Sequence, residues 1–480
     1  MKGLFLGLTG FLLLDAASAK DLLEVYGDAV QHDPVIQEAQ ATRRAAEEAN
    51  PQALAALLPQ LSGDYAVTRA GTDISEIEPL GVTPTGEALE VPLSDKSWTT
   101  QRGYQLTLKQ SLFSWNNWAT LGRAHKQVAQ AEADYRAAEE SLIQRTAQAY
   151  FNVLNARDSL DAQVAALDAY THQLDQANVR YEAGLIAITD VKEAQAQHDQ
   201  TAAAVIDAKR NLASMQQALR EITDQDYDFL AKPGDDMPLQ TPQPADPARW
   251  VQVSMDQNLT LLSSRLAADV ARENVYIAQS GHAPTIDLTG IRSNNNQFGD
   301  QVVGIGGPSI RYPYPFEQSN KQIGVQVTVP IFSGGLVSSQ ARQAQFQWIA
   351  AKDHVITISR QTEHQARDAY NGIVSEVARV NALKQGVESA QVAMRATQAG
   401  YDVGTRTEVE LLQQRQNLVQ AQTSYAQARY DYLLDIVQLR LAAGTLDQQT
   451  LQQINSWLTV TQPTGTGALS SPEAPVPPPR

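Results

Sequence analysis

The chain of 480 residues has no cysteine. That excludes disulfides, thiolate metal sites, thiol nucleophiles and an N-terminal lipid-modified cysteine. Its seven histidines are scattered singly, with no H-x-x-x-H or H-E-x-x-H spacing, so a metal centre has no ligand set. A G-x-S-x-G elbow, a P-loop and a Rossmann fingerprint are missing too. No catalytic constellation remains, and no cofactor is implied. Beyond the first residues no run reaches the roughly 18 consecutive apolar residues that a membrane helix requires, so any membrane crossing must use strands. The net charge of −16 argues against nucleic acid as a partner. Aromatic residues make up 6% of a chain that is 43% hydrophobic, a balance that suits long Ala- and Gln-rich helices better than one thick core.

What is present begins with MKGLFLGLTGFLLLDAASA. One Lys, an apolar run from Leu4 to Leu14 and Ala17-Ser18-Ala19 fit a cleaved secretory signal, residues 1–19. The mature chain is expected to be exported. A helical run from Asp21 to about Ala56 follows. Then come two strands, one in PQLSGDYAVTR and one from about Thr99 to Phe113, with a long exposed loop expected from Ala70 to Lys96. From near Ser114, Leu121, Ala124, Val128, Ala131, Tyr135, Ala138 and Leu142 recur at spacings of three and four, a coiled-coil seam rich in Ala. No Gly or Pro interrupts the chain between Gly122 and Gly184. A helix that long measures on the order of 100 Å at 1.5 Å per residue. It breaks at Tyr181 to Lys192, YEAGLIAITDVK, and a returning helix carries Val205, Ala208, Leu212, Met215, Leu219 and Ile222.

The pattern then repeats. After a Pro- and Asp-rich linker, residues 225–247, Asn258-Leu259-Thr260-Leu261 matches Asp33-Pro34-Val35-Ile36, a shift of 225 (258 − 33). Ile331-Phe332-Ser333 matches Leu112-Phe113-Ser114 at 219 (331 − 112), and Tyr401 matches Tyr181 at 220 (401 − 181). So steady an offset identifies a tandem duplication, with a first repeat over 20–224 and a second over 248–444. Strands are expected at about Thr285 to Arg292 and Gln322 to Phe332, with a polar loop between them holding Asn294 to Asn296 and YPYPF. The second hairpin tip is Tyr401 to Gln413, YDVGTRTEVELLQ. A short C-terminal segment, 445–461, precedes a Pro-rich tail, 462–480, that lacks the apolar residues to fold.

Each half therefore reads helix, strand, strand, long helix, tip, long helix, which makes four strands per chain. Four strands cannot close a membrane barrel, because their edge amides and carbonyls would meet lipid unpaired. Three copies would supply about twelve strands, within the range of outer-membrane barrels, and would set six helical hairpins side by side as a tube.

In Asn258 to Ile286, in Gly184 to Val191 and in Tyr401 to Thr407 the chain resembles the outer-membrane efflux protein family, the TolC-like channels of efflux pumps and type I secretion. The resemblance covers nearly the whole mature chain. It implies a mainly α protein with a membrane β-barrel: a homotrimer with a twelve-stranded barrel in outer-membrane lipid and an α-helical periplasmic tunnel. It also implies a passive exit duct that docks a periplasmic adaptor and an inner-membrane pump or ABC secretion ATPase. Carried over by position, Thr189 and Asp190 on the first tip would bond Tyr401 and Arg406 on the second, holding the periplasmic aperture shut. Arg offers a fork of donors that carboxylate and hydroxyl accept; the alternative for Arg406 is a solvated charge beside a turn. The family's two acidic rings at the constriction fall at Glu410 and Gln413, of which only the first is a carboxylate. Glu410 also reads as a helix-start acid favoured by the helix dipole. Phe113, Trp115, Trp118 and Phe332 mark either a membrane-interface aromatic belt or packing at the strand-to-helix junction. Two rival classes are a periplasmic adaptor or structural coiled-coil protein, which the twofold repeat opposes, and a hydrolase, which lacks a motif.

Overall fold

The computed structural model describes residues 19–305, 307–313 and 315–465; residues 1–18 of the expected signal and 466–480 of the expected tail lie outside them. Among the described residues the chain divides into two compact units, one running to residue 44 and taking in 130–265 and 353 onwards, the other of 45–129 and 266–352.

The helical run expected from Asp21 to Ala56 is three helices, α1 (Leu22–His32), α2 (Pro34–Glu47) and α3 (Ala49–Ala55). The break has a local cause. Asp33 caps α2 by accepting from Ile36 N at 3.1 Å, and Pro34 opens that helix where its missing N–H is harmless. The second repeat breaks in the same way between α6 (Pro247–Gln257) and α7 (Leu259–Gln279), where Asn258 accepts from Leu261 N at 3.0 Å. The Asp33/Asn258 correspondence is thus one motif used twice.

In the second unit the strands outrun expectation. β1 (Gln60–Val82) and β2 (Ala88–Ser114) form one antiparallel hairpin, paired from Gln60↔Lys109 to Val82↔Ala88. The expected loop from Ala70 to Lys96 is therefore mostly ladder, closed by a turn in which Thr83 N donates to Glu87 O at 2.8 Å. Its prolines had suggested a loop, yet Pro79 falls at a register shift and Pro92 lies just beyond the last rung to the next strand, Leu93, places where a sheet tolerates a missing donor. Likewise β4 (Thr285–Ile305) runs straight through Asn294 to Asn296, with β5 (Ile310–Pro313) and β6 (Phe316–Thr328) alongside. The order is β1-β2-β4-β6, with β5 beside the far end of β4. Among the described residues β1 and β6 each keep one edge unpaired.

The sheet's two faces differ in chemistry. Asp64, Thr68, Gln101, Gln105, Ser293 and Asn320 line a concavity on one of them. The alternate residues, including Leu61, Tyr65, Val67, Ile323 and Val325, stand exposed on the other.

Four long helices follow: α4 (Trp115–Glu182) and α5 (Ile188–Thr223) form one helical hairpin, and α8 (Leu336–Asp402) and α9 (Glu408–Ala442) the other, with α4 entering the first unit at 130 and α8 at 353. The expected linker is not bare: β3 (Phe229–Pro233) pairs antiparallel with β7 (Leu458–Pro463), which follows α10 (Gln448–Asn455). β7 takes the first residues of the expected tail, and ordered contacts continue past it, Arg157 Nη1 donating to Gly465 O at 3.0 Å. The core gathers where the small sheet meets α1, α4, α5 and α9, around Leu22, Tyr150, Phe151, Leu219, Leu230 and Tyr432. Tyr150 is buried with its hydroxyl donating to Ala231 O at 2.6 Å, so its burial leaves no polar atom unsatisfied.

Candidate periplasmic gate

Both tips are built by the same turn. Gly184 (φ 70°) and Gly404 (φ 77°) adopt the left-handed conformation. Leu185 N then bonds back to Arg180 O at 2.9 Å and Thr405 N to Gly400 O at 2.8 Å. These are Schellman closures, which satisfy the last carbonyls of α4 and α8 and turn the chain sharply.

The next helices start differently. Thr407 caps α9 in a full capping box, accepting from Glu410 N at 3.3 Å while its own N–H donates to Glu410 Oε2 at 2.9 Å. Glu410 also receives Arg406 Nη1 at 3.0 Å. The Thr407 N–H and then Arg406 hold its carboxyl below the ordinary Glu value. At α5 the capping position is Ala187, so only half of that box exists: Asp190 Oδ2 accepts from Ala187 N at 3.4 Å, and Thr189 Oγ1 lies 3.5 Å from Asp190 Oδ1.

Within the chain the structure therefore does not join Thr189 and Asp190 to Tyr401 and Arg406. Asp190 is used by its own helix start, and Arg406 by Glu410 four residues on. Tyr401 has another partner, Glu408. The Tyr401 hydroxyl donates to Glu408 Oε2, and the other oxygen, Oε1, accepts from Gln173 Nε2 of α4 at 2.5 Å. Glu408 is 7% exposed and Tyr401 8%. The Arg180 guanidinium of α4 lies over the Tyr401 ring, 4.8 Å from its centroid. Burial, and then the Glu408 carboxylate, push the Tyr401 hydroxyl up to about 12, so it remains a donor at any physiological pH. Deeper in the hairpins Arg415 of α9 faces the Tyr170 ring of α4 at 5.8 Å.

A buried carboxylate that accepts two hydrogen bonds from two helices thus ties the first hairpin to the second. Residue-by-residue reading missed Glu408, Gln173 and Arg180. Only Glu408 had a signal, an acid next to a cap, and its partner lies 235 residues away in sequence (408 − 173). Gln413 is exposed and donates to Asn417 Oδ1 at 3.1 Å.

The aromatic residues split. Phe113 is the penultimate residue of β2, and Trp115 and Trp118 lie in the first turn of α4, all three exposed. Phe332 is exposed as well but lies beyond β6, which stops at Thr328 rather than Phe332. The two repeats therefore do not place these aromatics on equivalent elements. Among the described residues no His/Cys/Asp/Glu cluster has the makings of a metal site.

The outer membrane efflux protein model matches residues 25–224 and 250–445, the two repeats with the intervening segment left out. The chain belongs to the outer membrane efflux protein family. It is 34% identical over 450 residues to the outer membrane protein TolC of Vibrio cholerae, covering 93% of this chain and 96% of that one. It is 28% identical over 450 residues to the alkaline protease secretion protein AprF of Pseudomonas aeruginosa, covering 92% and 88%. It shares its fold with the Campylobacter jejuni CmeC outer membrane channel at 20% identity, with a TM-score of 0.69 over 91% of this chain and 89% of that one. Family membership places the protein in the outer membrane and makes it a channel protein, not an enzyme or a periplasmic adaptor.

Proposed function

We propose that this chain is the outer-membrane exit duct of a tripartite efflux or type I secretion system, working as a homotrimer. The observation that carries the reading is the pair of unpaired edges on β1 and β6 in a sheet whose one face is apolar. Lipid cannot satisfy those edge groups, so the sheet must close through other copies, and three copies of the long strands β1, β2, β4 and β6 give a barrel of twelve. The relatives supply the direction of traffic: one is a protease secretion protein and one fold neighbour an outer membrane channel. On this reading an adaptor and an inner-membrane transporter, a pump or an ABC ATPase, dock at the hairpin tips.

The tips form the gate. Glu408, Tyr401, Gln173 and Arg180 hold the two hairpins of each protomer together, and docking opens the aperture by drawing them apart. Thr189, Asp190, Arg406, Glu410 and Gln413 line or flank that aperture, with Glu410 as its acidic ring. Phe113, Trp115, Trp118 and Phe332 mark the periplasmic edge of the outer membrane.

Edge pairing is tested by single cysteines in a chain that has none. Cysteines at Tyr65 in β1 and at successive positions from Phe316 to Ile323 in β6 should give an oxidised ladder of dimers and trimers in membranes. Monomers at every position, with the protein folded and membrane-inserted, would refute closure by copies.

A further inference from the structure

On the apolar face of the sheet every long strand ends its apolar run in a cation. On β1, Leu61, Tyr65 and Val67 lead to Arg69. On β2, Leu108, Leu106 and Tyr104 lead to Arg102. On β4, Ile286, Leu288 and Gly290 lead to Arg292, and on β6, Val327, Val325 and Ile323 lead to Lys321. The register puts these residues on one face, since Val67 is opposite Arg102, Leu106 opposite Arg292, and Arg292 opposite Lys321. Gly63 supports the assignment: a Cβ there would lie 3.2 Å from Leu106 Cδ2. Along these four runs, below the cations, the face carries no charge at all.

Two features make the girdle unusual. Arg292 and Lys321 stand directly opposite each other, an arrangement that repels unless an anion lies between them. And among the described residues none of the four cations has an ion pair or a hydrogen-bonded carboxylate. The carboxylates farther along the same face are taken elsewhere. Asp73 pairs with Lys96 at 3.0 Å and Asp300 with Arg311, while Glu317 accepts from the Asn294 amide at 3.4 Å. The Arg102 guanidinium carbon lies over the Phe298 ring, 4.9 Å from its centroid, which holds the cation against the face.

We infer that Arg69, Arg102, Arg292 and Lys321 form a binding girdle for the phosphorylated headgroups of outer-leaflet lipid. The apolar run beside each cation takes the acyl chains, and the cation sits where the headgroup phosphate must lie. Arginine fits this role because its fork donates twice to one phosphate, and a phosphate between Arg292 and Lys321 turns their repulsion into attraction to a shared anion. The inference rests on this face meeting lipid in the closed barrel.

The test uses the purified full-length protein, its trimeric state followed separately on native gels. Wild type is incubated with bis-phosphorylated lipid A, with lipid A stripped of its phosphates, with phosphatidylcholine, or with inorganic phosphate, then washed in detergent and examined by native mass spectrometry. Wild type should retain the bis-phosphorylated lipid at least ten-fold more than the stripped lipid or phosphatidylcholine, and retention should fall in 1 M salt. Inorganic phosphate at millimolar concentration should leave no adduct. Arg292→Gln with Lys321→Gln should lose most of that preference while still running as a trimer, and Arg292→Lys should keep it. Equal retention of all lipids by wild type, or unchanged retention by a trimeric double variant, overturns the girdle. Failure of wild type to form a trimer would instead strike the barrel reading itself.

Discussion

The two hairpin tips share a turn and differ in what they bury. Gly184 and Gly404 close the same Schellman geometry, and the duplication aligns Tyr181 with Tyr401 and Ile188 with Glu408. Yet Tyr181 is 44% exposed and Tyr401 only 8%, while Ile188 is 47% exposed and Glu408 only 7%. The polarity is inverted, with an isoleucine outside on the first tip and a carboxylate inside on the second. Burial of a charge is costly unless it is paired, and here a tyrosine hydroxyl and a glutamine amide meet it. The first tip instead rests on a small apolar cluster of Ala177, Val191 and Ala194. The first tip buries only apolar side chains, whereas the second buries a polar clamp that reaches across to the neighbouring hairpin.

Making the second tip like the first should have the largest effect. Glu408→Ile removes the acceptor of two charge-assisted bonds, each worth about 1.5–3 kcal/mol, and leaves Gln173 and Tyr401 unpartnered. Repeated in three protomers, that loss should loosen the gate, and cells carrying the variant should become sensitive to large antibiotics that wild-type cells exclude. A variant made at normal levels with unchanged sensitivity would remove Glu408 from the clamp.

A smaller effect comes from acids higher in the two hairpins. Burial pushes Glu140 of α4 up to about 7, against a hydrogen bond from Leu446 N that lowers it. Burial, then Glu376, Asp431 and Asp368, push Asp435 of α9 up to about 6. Both folded values lie above the unfolded ones, so the stability these groups contribute is fully present below about pH 4, and it is lost as pH rises through about 6 and 7. Thermal unfolding should come at higher temperature at pH 5 than at pH 8, and Asp435→Asn together with Glu140→Gln should narrow the gap. An unchanged gap in that pair would assign the pH dependence to other groups.

The smallest effect is expected from Arg406. Its ion pair with Glu410 is exposed on both sides and spaced i,i+4, a class that solvent screens to little net stability. Arg406→Ser alone should change antibiotic sensitivity far less than Glu408→Ile. Parity between the two would mean that Arg406 acts through contacts between protomers.

Much of this was legible in the residues. The tandem repeat, the presence of four strands and the two long hairpins followed from period and offset, since helical seams and Gly-marked turns are local signals. The ends of the strands were not. Thr, Asp, Ser and Asn between Ala70 and Lys96 and around Asn295 read as loop because turns favour the same residues, whereas register against a neighbouring strand decided their state. β3 and β7 escaped for a related reason: Phe229 meets Pro463 only when the chain's middle and end come together. At the gate, position located Tyr401, Arg406 and Glu410 but not their partners. A capping box fixes Glu410 locally, while the contact between Glu408 and Gln173 depends on how two hairpins lie side by side.

If the second tip's buried carboxylate holds the duct shut, single-channel conductance in planar bilayers must respond to its removal. Tyr401→Phe with Glu408→Gln keeps shape and volume and removes both the charge and the hydroxyl donor. The double variant should fold as a trimer whose conductance rises well above wild type, with Ile188→Gln, the matching change on the first tip, leaving conductance unchanged. A folded double variant that conducts like wild type, or an equal rise from the first-tip variant, would contradict it.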